Sequence, residues 1–334
     1  MIMTPRLAAI LGALTADAAT LGLHWLYDAE RLKALQGQGS LAFRTPDIAA
    51  YQGVMGFFAH GGKVAGDLSF YGESCRLMLA HLAKTGGHFS RQAFQQDWLA
   101  AFGPGGHWVG YADRPTRLTV VRLLSYAKPD DYPAITGADD DQLPALECIP
   151  ALVASQSAAV CDALVQTVQQ AVAVTHDHPI ARDAATIATH ALHAVLAGVP
   201  MSQALAESAQ GAGDILRPLL VEALAMPALD VTAAAARFGM PCHLTQGLPL
   251  LFHIAHCASG FREAIEANIL AGGDSCGRAL MLGALTAAHD AQQLRIAGAD
   301  IQTRGIPLAW LSQVKGIAEI VHQAELVTTN FAVS

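Results

Sequence analysis

Charge is scarce in this sequence. Asp, Glu, Lys and Arg make up only 14% of the 334 residues, and Lys and Arg form no cluster or stripe. Nucleic-acid binding needs a basic footprint, so that class of partner is excluded. A formal net charge of −8 argues equally against an anionic membrane surface. Cysteines are few and scattered singly at Cys75, Cys148, Cys161, Cys242, Cys257 and Cys276, with no CxxC. That spacing excludes a disulfide scaffold, and reduced thiols in the cytoplasm are expected. Also absent are HExxH, Gly-x-Ser-x-Gly, a P-loop and a dinucleotide fingerprint. No segment alternates with period two, no internal repeat appears, and no low-complexity linker divides the chain.

No long apolar run is clean enough for a membrane span. Residues 184–206 and 238–261 lack charge, but His190, His193, Gly198 and Pro200 interrupt the first and Pro241, His243, Pro249, His253 and His256 the second. Both read as buried helices with breaks. Near the N-terminus, Arg6 followed by Leu7–Leu14 and Ala16-Asp17-Ala18 loosely mimics a signal peptide. The helical pattern runs past that point to His24-Trp25, which favours an ordinary core helix.

What is abundant is Ala and Leu, both strong helix formers, within a sequence that is 52% hydrophobic. The expected fold is a single all-α domain over residues 1–334 with a large core. Thr4 and Pro5 open a first helix with Leu7, Ile10, Leu11, Leu14, Ala18 and Leu21 on its apolar face. A glycine-rich loop region spans 36–70. Helices are then expected over 73–84, 90–102, 113–127, 142–153 and 157–174. Residues 128–141 read as loop, with Asp139-Asp140-Asp141 as a solvated tract. Asp177 or His178 caps a further helix at Pro179. From 180 to 326 nearly everything is helical, broken at Gly198-Val199-Pro200, Gly213, Pro227, Gly239-Met240-Pro241, Gly260 and Gly272-Gly273.

The segment most informative about chemistry is Asn268-Ile269-Leu270-Ala271-Gly272-Gly273-Asp274-Ser275-Cys276-Gly277-Arg278. A helix ends at the glycine pair, and Asp274-Ser275 opens a new one that carries Ala279, Gly283, Ala284 and Ala288, small residues suited to close packing. On spacing alone Asp274 is an N-cap, and Glu73 is a first-turn acid favoured by the helix dipole. The pairs His190/His193 and His253/His256 sit at i,i+3 on apolar helices and read as hydrogen-bonded core histidines rather than zinc ligands. Gly103-Pro104-Gly105-Gly106 reads as a helix stop.

The Gly-Gly-Asp-Ser turn and its small-residue helix resemble the C-terminal signature of the ADP-ribosylglycohydrolase family. Gly12-Ala13-Leu14-Thr15-Ala16-Asp17-Ala18, Thr175-His176 and Ile306-Pro307-Leu308-Ala309-Trp310 resemble its other landmarks, in the family's order. Leu23-His24-Trp25-Leu26-Tyr27-Asp28, Tyr71-Gly72-Glu73 and Gly110-Tyr111-Ala112-Asp113 are closer to a subgroup similar to the jellyfish J-type lens crystallins. The resemblance implies an all-α orthogonal multi-helix bundle acting on a small-molecule or ADP-ribosylated substrate. It also implies two Mg²⁺ ions, gripped by a Thr-Asp-Asp in the N-terminal third and an Asp-x-Asp-Thr at the C-terminal turn.

The sequence departs from that pattern. Cys276 and Gly277 replace the second acid and the final threonine, and a thiol is a poor partner for Mg²⁺. At the N-terminal motif, one register leaves no carboxylate at Ser69-Phe70-Tyr71, and another retains Glu73. Glu147 falls where the family carries a phosphate-binding arginine. The expected site therefore comprises Asp274 and Glu73 as metal ligands, with Glu73 and Asp67 as catalytic carboxylates. Ser275, Tyr71 and Asp113 lie on the substrate side, and fewer than two Mg²⁺ ions, or none, are held. Two functions remain open: a hydrolase of an ADP-ribosyl or related ribosyl conjugate with weak or altered activity, and a non-catalytic, crystallin-like binding or structural protein.

Overall fold

The computed structural model describes residues 3–156, 161–226, 230–297 and 305–329. Sixteen α-helices fill the described residues: α1 (Pro5–Thr20), α2 (Ala29–Gln36), α3 (Phe70–Lys84), α4 (Arg91–Phe102), α5 (Arg114–Leu124), α6 (Ile149–Ala154), α7 (Cys161–Val172), α8 (Pro179–Leu196), α9 (Met201–Gln210), α10 (Leu216–Ala225), α11 (Val231–Phe238), α12 (Leu244–Cys257), α13 (Phe261–Ala271), α14 (Ser275–Ala297), α15 (Leu308–Leu311) and α16 (Ile317–Thr329). The only extended pairings among these residues are isolated bridges, Leu26 with Gly56, Ala138 with His176 and Gln142 with His243. The expected all-α architecture is what the chain adopts.

The helix starts follow from capping chemistry. Thr4 Oγ1 accepts from Leu7 N at 3.3 Å, and Pro5 occupies the first turn of α1. α3 begins at Phe70, ahead of the expected Glu73, because Ser69 Oγ accepts from Tyr71 N at 3.1 Å and Gly72 N at 3.3 Å. His178, not Asp177, caps α8, its Nδ1 accepting from Ile180 N at 3.2 Å. The helix expected over 142–153 is split into a 3-10 turn, Leu143–Leu146, and α6. Pro144 and Pro150 each lack the N–H that a continuous helix would need. α2 buries only Leu32, so it carries no apolar stripe for periodicity to reveal. The expected start of the 157–174 helix and the break at Pro227 lie outside the described residues.

At the centre, α1 and α14 cross with their backbones in contact. A Cβ added to Gly12 would lie 2.5 Å from Gly283 O and 2.4 Å from Ala287 Cβ, and one on Gly283 would lie 2.4 Å from Gly12 O. α1 is buried on every side. With its 3-10 extension to Leu23 it is long and apolar enough to cross a membrane, but it is almost wholly enclosed by other helices. A helix apolar all round is what a core position demands.

α13 ends and α14 begins at Gly272 and Gly273, with φ of 72° and 63°. A side chain there would strike Leu26 O at 2.8 Å or Met240 O at 2.2 Å. These contacts let residues 24–27 lie directly against the turn. Trp25 N donates to Gly273 O and Gly273 N donates to Leu26 O, both at 2.8 Å. On its other side the segment bonds to the 55–57 loop, Phe57 N to Trp25 O at 2.9 Å and Tyr27 N to Met55 O at 3.0 Å.

The glycine crossing predicts a sharp stability contrast. Gly283→Ala should cost about 2 kcal/mol or more in chemical denaturation, because backbone oppose backbone there and cannot yield. Gly62→Ala, where a Cβ would meet no atom within 4 Å, should change stability by less than about 0.5 kcal/mol. Equal effects from the two would contradict the close crossing.

Candidate functional site

The segment and turn just described press His24 against Asp274. His24 Nε2 donates to Asp274 Oδ1 at 2.9 Å, and His24 Nδ1 lies 2.8 Å from His60 Nε2. All three side chains are buried. Burial pushes the His24 imidazole below its ordinary range, opposed by Asp274, and brings His60 down to about 3. Both rings are therefore neutral near pH 7, and the tautomers follow. His24 carries its proton on Nε2 toward Asp274, so its Nδ1 accepts from His60 Nε2–H. Tyr51 Oη donates to His24 O at 2.8 Å, fixing the backbone of the same residue.

Asp274 is also the N-cap of α14, its Oδ1 accepting from Gly277 N at 3.0 Å. The capping role and a site role thus coexist. Gly277 makes room for this, since a Cβ there would lie 2.7 Å from Asp274 Oδ2. Oδ2 itself is buried without a hydrogen-bond partner, as is Ser275 Oγ. Beneath the turn, Arg278 is fully buried; it donates to Asn268 Oδ1 at 2.8 Å and to the Gly272 carbonyl. Burial lowers the guanidinium to about 10 while Asp274 pulls it back up, so it stays charged and offsets the carboxylate above it.

Aromatic rings roof the pair. Trp25 stacks on His24 with centroids 4.1 Å apart, and Tyr111 meets Trp25 edge-on at 4.7 Å. Tyr71 approaches His24 edge-on at 5.6 Å. Trp25 holds this place with a φ of 62°, a left-handed conformation that a bulky residue adopts only when its surroundings impose it.

Other buried acids surround this centre. Asp17 accepts from Ser69 N at 2.8 Å and from Ser69 Oγ, tying α1 to the start of α3. Burial, against those hydrogen bonds, raises it to about 7. Asp113 caps α5 through Thr116 N at 2.9 Å, while its Oδ2 is buried without a partner. Burial raises Asp113 to about 6. Glu147, expected to face substrate as a repelling carboxylate, is instead enclosed, and burial with Asp113 nearby pushes it well above the usual range. It is an interior acid, its Oε2 buried without a hydrogen-bond partner.

The residues singled out from sequence separate into two groups. Asp274, Ser275, Tyr71 and Asp113 gather at the centre, the fields of Asp274 and Asp113 both reaching Tyr71. Glu73 sits one turn into α3, paired with Arg76 and with His107 Nε2 at 3.3 Å. Asp67 is engaged at the edge, bonded to Lys315 at 2.8 Å and to Val64 N at 2.7 Å. The Asp139–Asp141 tract is solvated only at Asp139. Asp140 is buried beside Arg114 at 3.3 Å, and Asp141 meets His243 at 2.8 Å. Of the histidine pairs, His253 is a core residue, with Nδ1 3.2 Å from Ala223 O, whereas His190, His193 and His256 are only half-buried.

His24, His60 and Arg278 carry the centre, and the sequence reading assigned none of them a role. In the sequence His24 stands out only within the crystallin-like Leu23–Asp28 landmark and Arg278 only as the end of the Gly-Gly-Asp-Ser segment, while His60 carries no signal.

The donor set does not suit a pair of Mg²⁺ ions. Asp274 Oδ1 is taken by His24 and Gly277, and Asp17 is taken by Ser69. Cys276 is buried as a thiol raised well above its ordinary range, its sulfur 4.0 Å from Asp17 O. Among the described residues no group of three or more His, Cys, Asp or Glu side chains is arranged to hold a metal ion.

Comparison with known proteins agrees with this architecture. A family model described as ADP-ribosylglycohydrolase matches residues 6–332. Crystallin J1A of Tripedalia cystophora is 26% identical over 329 residues, covering 95% of this chain and 94% of that protein. A solved structure described as an ADP-ribosylglycohydrolase-related protein complex superposes with a TM-score of 0.70 over 97% of both chains, at 18% identity. At that identity it shows a shared fold.

The buried acids predict a pH signature. Asp113 has a folded pKa of about 6 against 3.8 in the unfolded chain, so it lowers stability progressively as pH rises from about 4 to about 6. Asp113→Asn keeps the helix cap and removes that penalty. The stability of the variant relative to wild type should therefore climb by about 3 kcal/mol across this range and then level off. A difference independent of pH would contradict the placement of Asp113.

Proposed function

Because this chain belongs to the ADP-ribosylglycohydrolase family, we propose that it binds an ADP-ribosyl or related ribosyl conjugate at the His24–Asp274 centre. It turns that ligand over slowly, without the paired Mg²⁺ ions that its relatives' motifs imply. The observation that carries this reading is the division of labour at Asp274. One oxygen is held by His24 and Gly277, while the other is buried with no partner.

Three orphaned acceptors, Asp274 Oδ2, Ser275 Oγ and Asp113 Oδ2, suit a ligand rich in hydroxyl donors, because an unpaired buried polar oxygen is costly until a donor reaches it. The rings of Trp25, Tyr71 and Tyr111 supply the flat apolar faces against which a sugar or base packs. His24 orients Asp274, and the aromatic roof keeps water from the pair. Mg²⁺, when bound in such a cleft, supplies Lewis-acid and water-activating chemistry. The residues here do not furnish its ligands, so most of that rate enhancement is forgone. The unpaired cysteines Cys75, Cys148, Cys242, Cys257 and Cys276 support a reducing, cytoplasmic setting as part of the same proposal.

A second reading, a non-catalytic or structural protein on this fold, is favoured by one specific observation, the end-to-end similarity to a crystallin. The two readings separate in one set of assays. Calorimetry with Mg²⁺ on the wild type should show no pair of tight sites. Release of ADP-ribose from modified arginine or serine should be far slower than for a metal-loaded hydrolase, by about 10³-fold or more. Cys276→Asp should raise Mg²⁺ affinity measurably. Saturable ligand binding with no release at all would select the non-catalytic reading. Two tight Mg²⁺ sites with rapid turnover in the unmodified protein would refute both.

A further inference from the structure

A second hollow lies away from the His24–Asp274 centre. A cavity of about 560 Å³ lies between α2, residues Gly22-Leu23 and the 44–50 loop. Two guanidiniums line it, those of Arg31 and Arg44. Arg31 donates to the carbonyls of Ala49 at 3.2 Å and of Ala50 and Gln52 at 3.0 Å each. Arg44 donates to Ser40 O and Leu35 O, each at 2.9 Å. Among the described residues neither is ion-paired with a carboxylate, in contrast to Arg76, Arg114, Arg182, Arg217, Arg237 and Arg262.

The arrangement is therefore built and unspent. Carbonyls are neutral, so they fix each planar head without cancelling its charge. A guanidinium has five N–H donors, which leaves two on Arg31 and three on Arg44 for something else. Both arginines are half-buried, where a charge-assisted hydrogen bond is worth more than in open water. Gly22 lets the backbone of Arg44 lie directly against the 3-10 turn Leu21–Leu23, since a Cβ there would lie 2.2 Å from Arg44 O.

We infer that this cavity is a second ligand site, taking the phosphate of a phosphorylated sugar or nucleotide on Arg31 and Arg44. Arginine forks match phosphate oxygens in pairs. Asp47, also on the wall, has Oδ1 engaged by Ala49 N at 2.9 Å. Its second oxygen repels a bare anion but accepts from a sugar hydroxyl. Leu23 and Leu35 give an apolar face, so a phosphate ester suits the cavity better than inorganic phosphate. Leu23 is followed directly by His24, so occupancy here bears on the segment that positions the centre. The inference stands on the cavity and its arginines, independently of the ribosyl reading of the centre.

Calorimetry on the full chain with inorganic phosphate, ribose 5-phosphate and AMP tests it. Saturable binding is expected for the two esters, tighter than for phosphate. Arg44→Gln should weaken it roughly tenfold or more, the worth of a charge-assisted bond. Because Arg44 also ties down two carbonyls, Ala34→Glu provides a variant that leaves the fold intact. Ala34 is exposed on α2 and lines the cavity, so the new carboxylate should abolish ester binding at the cavity while the helix is retained. His24→Ala removes any ester binding at the centre and should leave the cavity's share in place. The inference is overturned by an absence of saturable binding to either ester. It is overturned equally if Ala34→Glu removes no part of the binding, or if all of the binding is lost in His24→Ala.

Discussion

Two facing glycines set the geometry on which everything else rests. Gly12 and Gly283 let α1 and α14 touch backbone to backbone, and that contact fixes where both helices end. α1 delivers Asp17 to the start of α3 and runs on to His24, while α14 begins at Asp274. A side chain at either glycine would push the helices apart by more than an ångström. The 2.9 Å bond between His24 and Asp274 would not survive such a shift. The small-residue character of α14 is thus a requirement of the site as much as of the core.

Upon that frame the protein assembles a costly arrangement. Asp274, His24, His60 and Arg278 are all withdrawn from water, and each needs a partner to be tolerated. His24 answers to Asp274 and His60, and Arg278 answers to Asn268 and Gly272. The strained φ of Trp25 is held by hydrogen bonds to Gly273 on one side and Phe57 on the other. At the centre itself, oxygens on Asp274, Ser275 and Asp113 are left without a hydrogen-bond partner. Unpaired buried acceptors occur elsewhere in the interior too, as on Gln95 and Glu147, but these three lie beside the aromatic faces of the centre, where an incoming donor would satisfy them. The imidazole of His24 already occupies Asp274 Oδ1 with a hydrogen bond, and the Cys276 thiol offers no oxygen.

Much of this was legible in the sequence, for physical reasons. Capping residues announced α1 at Thr4-Pro5 and α5 at Asp113, and Gly272-Gly273 announced the break before Asp274. The small residues of α14 announced close packing. The turn signatures pointed to Asp274, Ser275, Tyr71 and Asp113. The partner that Asp274 takes was not legible, because His24 lies 250 residues away and meets it only through the fold. Arg278 hides in an unremarkable helical position. Asp67 and Glu73 carry the right chemistry, but their nearest cations, Lys315 and Arg76, engage them, and pattern alone does not show which partner an acid will take. Glu147 and the Asp139–Asp141 tract show the same limit: a charged letter says nothing of burial until the chain has closed around it.

The central claim is that a neutral His24, protonated on Nε2, occupies Asp274 in place of a metal ion. Long-range nitrogen–proton correlation spectra of the imidazoles, recorded with and without millimolar Mg²⁺, read this directly. The account predicts one buried histidine in the Nε2–H form, with Nδ1 accepting a hydrogen bond, whose signals do not move when Mg²⁺ is added and vanish in His24→Gln. A His24 with its proton on Nδ1, or signals that shift with Mg²⁺ as Asp274 is drawn away, would contradict it.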